Sequence, residues 1–265
     1  MKKMKWINRL SVLTLIGLWT TNVMAADVDS RTTNGIIEFG EGVGPGDLIK
    51  PNEEDPDGEK EEVITVKDGS SATTASGSLR IQFVPNLNFG LNTQGYINGP
   101  QEQPVKLLDY QDRNGNETGN KVPPFVQVTN VTGIDNLGWT LSAKATEFIS
   151  TDSTPHTLTG AYMSLEGSTL TMTHGTTEIA NGLVNKQVTN KIPTDGSSIT
   201  VLSAENAKST SGHQFSNVFH NEYTEAGTYT DDTTSGVMFK KPAGITPKKN
   251  HLYKSTITWT LADTL

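Results

Sequence analysis

The 265-residue chain has no cysteine. That absence excludes a disulfide framework, a thiolate metal site and a cysteine nucleophile. Aromatic residues make up 7% and hydrophobic residues 34% of the chain, lean figures for a packed core. Basic residues are also few: 21 Lys and Arg stand against 29 Asp and Glu, a formal charge of −8. A surface that binds polyanions over the whole chain, nucleic acid above all, is therefore ruled out early. The length suits one large all-β domain or two small ones, stabilised by packing and hydrogen bonds alone.

The only marked apolar run comes at the start. Lys2, Lys3 and Lys5 give a basic opening, and Leu10 to Trp19 supply ten mostly apolar residues. That run is too short for a membrane span, which needs ~20 residues. Val23-Met24-Ala25 then places small or aliphatic residues where a signal peptidase reads, so residues 1–25 read as a secretory signal cut after Ala25 or one residue later. Cleavage removes four cations (Lys2, Lys3, Lys5, Arg9) and no anion, leaving 17 basic against 29 acidic residues, or −12. No later apolar tail and no Leu-Pro-x-Thr-Gly signal is present, so the expectation is a secreted protein without a membrane span, held at any surface non-covalently. Export without disulfides suits a bacterium.

Acidic residues are bunched. From Glu38 to Glu62 there are ten of them against Lys50 and Lys60, interspersed with Pro45, Pro51, Pro56 and several glycines. Such a stretch has little apolar surface to bury, and residues 26–62 read as a short strand (35–39) followed by an extended, flexible acidic linker. Beyond it the pattern is β throughout. Strands are expected at 62–67, 78–84, 124–131, 139–145, 157–165, 169–174, 198–202, 236–239 and 252–261, with one helical run around Gly182 to Gln187. Thr, Ser, Asn and Gly supply 101 residues, filling the loops and exposed strand faces. The last segment alternates strictly: Tyr253, Ser255, Ile257, Trp259 and Leu261 share one face, and Lys254, Thr256, Thr258 and Thr260 the other. Residues 63–265 therefore read as an all-β domain of mostly antiparallel strands, a β-sandwich or an open barrel.

Catalytic signatures are missing. The five histidines (His156, His174, His213, His220, His251) show no zinc-binding spacing, no Gly-x-Ser-x-Gly elbow occurs, and no Lys follows a Ser by three residues. Asp55-x-Asp57-Gly58 fails as a calcium loop, because its twelfth position is Ile64. Asp112-x-Asn114-Gly115-Asn116 has Tyr110 and Lys121 at the first and twelfth positions and reads as an Asn-Gly turn. No metal, cofactor or catalytic residue is assigned. Two carboxylates from separate strands could still serve a glycan-cleaving site, but no local spacing singles out a pair.

Two pieces match one another. Gly138-Trp139-Thr140-Leu141 and Ile257-Thr258-Trp259-Thr260-Leu261 each contain Trp-Thr-Leu, with 117 residues between Leu141 and Trp259. In a strand the Trp and the Leu two places on share a face, so Trp139 with Leu141, and Trp259 with Leu261, can build a common patch. The pair resembles the WxL family, secreted surface proteins of low-GC Gram-positive bacteria with one such motif mid-domain and another near the C-terminus. Gly77 to Gly90, which contains Val84-Pro85-Asn86-Leu87-Asn88-Phe89-Gly90, is similar to the family's first main strand and its Val-Pro-x-x-x-Phe-Gly signature. Phe125-Val-Gln-Val-Thr129, Gly133, and Gly236-Val-Met-Phe239 with Lys248 and Tyr253 also fit, as do Asn34 to Phe39 and the acidic linker. One departure is the ending, Thr264-Leu265, where the family often has a proline.

The resemblance implies non-covalent attachment to the cell wall, with a non-catalytic domain that binds peptidoglycan and co-operates with companion surface proteins. At −12, bulk attraction cannot hold the chain to a wall rich in anionic polymers, so binding must use hydrogen bonds, apolar contact or aromatic stacking. Trp139 and Trp259 have two open roles, core packing or a platform for glycan or partner. The alternative function is a structural or adhesive one, engaging companion proteins or a host ligand by strand addition.

Overall fold

The computed structural model describes residues 46–263, apart from 53, 58, 60, 69, 73–76, 188, 189, 228 and 230. The signal, its cleavage site, the strand expected at 35–39 and the first part of the acidic stretch lie outside the described residues. In chain order the strands are β1 (Glu54–Asp55), β2 (Ile64–Val66), β3 (Ser71–Ala72), β4 (Leu79–Val84), β5 (Gln101–Lys106), β6 (Leu108–Asp112) and β7 (Glu117–Val122). Then come β8 (Phe125–Asn130), β9 (Trp139–Ala145), β10 (Ile149–Ser150), β11 (Tyr162–Leu165), β12 (Thr169–Met172) and β13 (Gly175–Thr176). After the one helix, α1 (Thr177–Leu183), follow β14 (Val184–Lys186), β15 (Asn190–Lys191), β16 (Ile199–Ala204), β17 (His213–Val218), β18 (Thr233–Lys241), β19 (Tyr253–Lys254) and β20 (Ile257–Asp263).

Pairing is antiparallel in every sheet. A five-stranded sheet (order β12-β17-β8-β4-β3) forms the middle layer, and all six residues of β8 are buried. That strand reads Phe-Val-Gln-Val-Thr-Asn, with side chains fit for burial on both faces. Its Val126 and Val128, with Leu170, Met172 and Phe215, join the main core against two four-stranded sheets, β14-β16-β9-β20 and β15-β11-β18-β5. On the other face Phe83, Phe125 and Val218 meet Leu108, Tyr110 and Val122 from the three-stranded sheet β2-β6-β7. These sheets stay open among the described residues, with no closed barrel, and the fold is consistent with the expected all-β sandwich.

Part of the acidic stretch has a fixed place on this second core. Leu48 and Ile49 are buried, and residues 48–50 run beside 62–64, with Lys50 N–H donating to Glu62 O at 2.8 Å and Ile64 N–H to Leu48 O at 3.0 Å. Gln82 and Gln127 on the sheet donate to the carbonyls of Gly46 and Ile49, and the Tyr223 hydroxyl donates to that of Pro51. Burial works against the charge of Lys50, but hydrogen bonding to Glu62 and the charges of Tyr110, Glu62 and Glu225 outweigh it and raise its pKa. Composition reads this segment as a linker because the few apolar residues that anchor it are hidden among charges.

Several expectations are met and others are moved. The strand expected at 139–145 is β9, and the Asn-Gly turn joins β6 to β7, with Gly115 at φ +80 and Asp112 Oδ1 accepting from the amides of Asn114 and Asn116. The helix lies earlier than expected, at Thr177–Leu183, because Thr176 caps it through its side chain. The strand expected at 157–165 shortens to β11, and that at 252–261 breaks at Ser255 and Thr256 into β19 and β20, where Thr146 bonds to both residues. Strands β5, β6, β7 and β17 are not anticipated, since Gln, Glu, Asn, His and Pro interrupt their apolar alternation. Gly236 in β18 permits a close crossing: a Cβ there would lie 1.9 Å from Phe219 O.

Candidate functional site

The two Trp-x-Leu segments are neighbours. β9 and β20 pair antiparallel with Leu141 opposite Leu261, Trp259 opposite Ala143 and Asp263 opposite Trp139. On the other side of β9, β16 places Leu202 opposite Leu141 and Ala204 opposite Trp139. A row of three leucines thus crosses β16, β9 and β20, and the indoles flank it on opposite sides, four residue steps or ~13 Å apart along the strands. Small residues, Ala204 beside Trp139 and Ala143 beside Trp259, leave room for each ring.

Their surroundings differ. Trp139 and Leu141 are both 0% exposed. The Trp139 indole N–H donates to Thr210 Oγ1 at 3.1 Å, and Asn130 Nδ2 donates to the same oxygen at 2.8 Å. Phe215 lies against the indole at 6.1 Å between ring centroids. Trp139 is therefore seated in the core with its polar atom satisfied. Trp259 and Leu261 contact the same core but are only partly buried, because β20 is the edge strand of its sheet. The alternation read from the sequence is present, yet the inward face of β20 is half-covered instead of closed. Thr258 and Thr260 on its other face are exposed.

The remaining pieces of the resemblance surround this pair. After β4, Pro85 is buried, Leu87 and Phe89 contact the main core, and the Phe89 ring lies 5.9 Å from that of Phe239. Gly90 takes φ +68, and a Cβ there would stand 2.7 Å from Lys106 Cε, so the final glycine of Val-Pro-x-x-x-Phe-Gly answers a turn and a close approach. Thr210, which accepts from the first indole, lies near no motif, and Asn130, which donates to Thr210, follows Phe125–Thr129 directly with nothing in that run to mark its partner.

The titratable side chains do not converge. Each histidine has its own partner: His156 the Tyr253 hydroxyl, His174 Glu61, His213 Thr173 O, His220 the Thr234 hydroxyl and His251 Asp152. Burial lowers the pKa of His220. Among the described residues no group of three or more His, Cys, Asp or Glu is placed to hold a metal ion, and no helix is long and apolar enough to cross a membrane.

No curated protein and no solved structure matches the chain. A family model does: the one described as "WxL domain surface cell wall-binding" matches residues 26–264. Its reach includes both tryptophan motifs, the Val-Pro-x-x-x-Phe-Gly turn and the acidic stretch, and the chain belongs to the WxL family of surface, cell wall-binding proteins.

Proposed function

We propose that the protein is a secreted, non-catalytic attachment module that binds peptidoglycan directly, with the second Trp-x-Leu as the contact and the first as its foundation. The observation that carries this reading is the difference in burial across one strand pair: Trp139 and Leu141 are sealed, whereas Trp259 and Leu261 reach the edge of the sheet. A half-covered indole at the open edge of a sheet offers part of its flat face to a sugar ring, while the hydroxyls of Thr258 and Thr260 are exposed on the opposite face of the same strand. Binding of this kind depends little on bulk charge, in keeping with the protein's acidity.

Sedimentation with purified sacculi stripped of phosphate polymers and proteins tests the reading. The protein should co-sediment at low and at high salt, and failure to bind naked sacculi would defeat direct glycan recognition. A second reading is favoured by the edge itself. Among the described residues β20 pairs with β9 alone, and an extended segment of a companion surface protein could add to its outer edge. That reading expects a saturable protein partner that competes with backbone pairing at β20.

A further inference from the structure

The negative charge of this protein is unevenly spread. Between Asp232 and Asp263 there is no acidic residue, and the interval holds Lys240, Lys241, Lys248, Lys249 and Lys254. Two of the five are used by the fold. Lys240 is paired with Glu166 at 2.7 Å, which raises the lysine's pKa and lowers the glutamate's. Lys241 is 2% exposed, and its ammonium donates to three carbonyls, Gly99 O at 2.6 Å, Ile245 O at 2.8 Å and Pro242 O at 3.1 Å. It ties the 91–100 loop to the 242–252 loop.

The other three lysines are exposed, and among the described residues no ion pair engages them. Elsewhere on the surface Lys67, Arg113 and Lys121 each sit against a carboxylate, Glu117, Asp47 and Asp232, whereas Lys106, Lys144 and Lys208 are exposed without an ion pair among the described residues but stand far from other lysines in sequence. The backbone that carries the free lysines is held firmly. The Tyr253 hydroxyl accepts from Lys248 N–H at 3.0 Å, the Tyr96 hydroxyl accepts from Asn250 N–H at 3.3 Å, and Asn98 O accepts from Gly244 N–H at 2.9 Å. Asn250 turns the chain at φ +61, just after Lys249. Lys254 follows Tyr253 directly and is paired across β10 and β19 with Ile149. The acids that flank the paired strand β10 are Asp152, engaged by His251, and Glu147. Exposed apolar side chains, Tyr96, Ile97 and Leu252, lie in the same two loops.

We propose that Lys248, Lys249 and Lys254 form a docking site for the phosphodiester groups of a wall-linked polyol phosphate polymer. Three unpaired ammonium groups, two on a hydrogen-bonded loop and one on the strand β19 that follows it, give a local positive potential inside an acidic protein, and lysine binds phosphate as a point charge without a fixed fork. The Lys241 ammonium, whose pKa is lowered by desolvation, serves the site by joining the two loops through its three carbonyl partners. The site complements the peptidoglycan reading and rests on it for the location at the wall. An anionic polymer that would repel the protein as a whole is met by an acid-free segment of its surface.

The test is titration calorimetry of the purified protein with soluble poly(glycerol phosphate) at low and high salt. Saturable binding that weakens as salt rises, falls about tenfold or more in K248A/K249A/K254A, and survives in the triple Lys→Arg variant is the expected result. Absence of binding, or equal binding by the triple alanine variant, overturns the proposal. Co-sedimentation separates it from the glycan reading. On walls retaining their phosphate polymers the alanine variant should lose the salt-sensitive part of binding, yet match the unaltered protein on stripped walls. Loss of the unaltered protein's binding on stripped walls alone would defeat the glycan reading and leave the lysine site standing.

Discussion

The same tripeptide, placed on two adjacent strands, has two different surroundings. On β9, flanked by β16 and β20, Trp-Thr-Leu is enclosed and its indole N–H is bonded to Thr210. On β20, with β9 as its one described neighbour, it is half-open. Sheet position, not the motif itself, decides whether the pair is sealed in the core or left half-covered at an edge.

Variants can sharpen or break that contrast. The largest effect belongs to Trp139→Ala, which should cost about 3–5 kcal/mol by denaturant unfolding, since it empties a sealed site; a cost below ~1 kcal/mol would show that the first indole is not a core residue. Leu141→Ala should follow at about 2–5 kcal/mol, and Leu261→Ala, directly opposite but half-covered, at about 1–2 kcal/mol. Equal costs for the two leucines would erase the distinction. Thr210→Val leaves the indole N–H and Asn130 without their shared acceptor and should cost about 1–3 kcal/mol, with no change in wall binding. The smallest stability effect is expected for Trp259→Ala, about 1–2 kcal/mol, with the unfolding transition still cooperative.

Much of this architecture can be read from the sequence where one face is wet and the other dry. β9 and β20 alternate cleanly, and the Asn114-Gly115 turn is chemically explicit. β8 is legible for another reason, being a short apolar run with β-branched residues. What escapes is long-range satisfaction of polar groups. β5 and β17 carry Gln101, Ser216 and Asn217 as buried residues, and a buried glutamine or asparagine looks in sequence like an exposed one. Residues 46–51 are hidden in the same way, because the glutamine donors and the Tyr223 hydroxyl that hold their carbonyls come from residues 36 or more positions away.

For the candidate site, the motifs point to two strands that the structure sets side by side, β9 and β20. They do not reveal that only one indole reaches the edge. That depends on strand order, which sets β20 outermost, and on Thr210 and Asn130, which have no spacing relationship to Trp139. The three free lysines are visible in the sequence as an acid-free interval, but their availability emerges only when the partners of Lys240 and Lys241 are known.

The most direct test of the central claim is co-sedimentation of Trp259→Ala with stripped sacculi, carried out beside its unfolding curve. The account predicts a cooperatively folded variant that no longer binds. A folded variant that binds as well as the unaltered protein, or one that loses binding only because it has lost its fold, would contradict it.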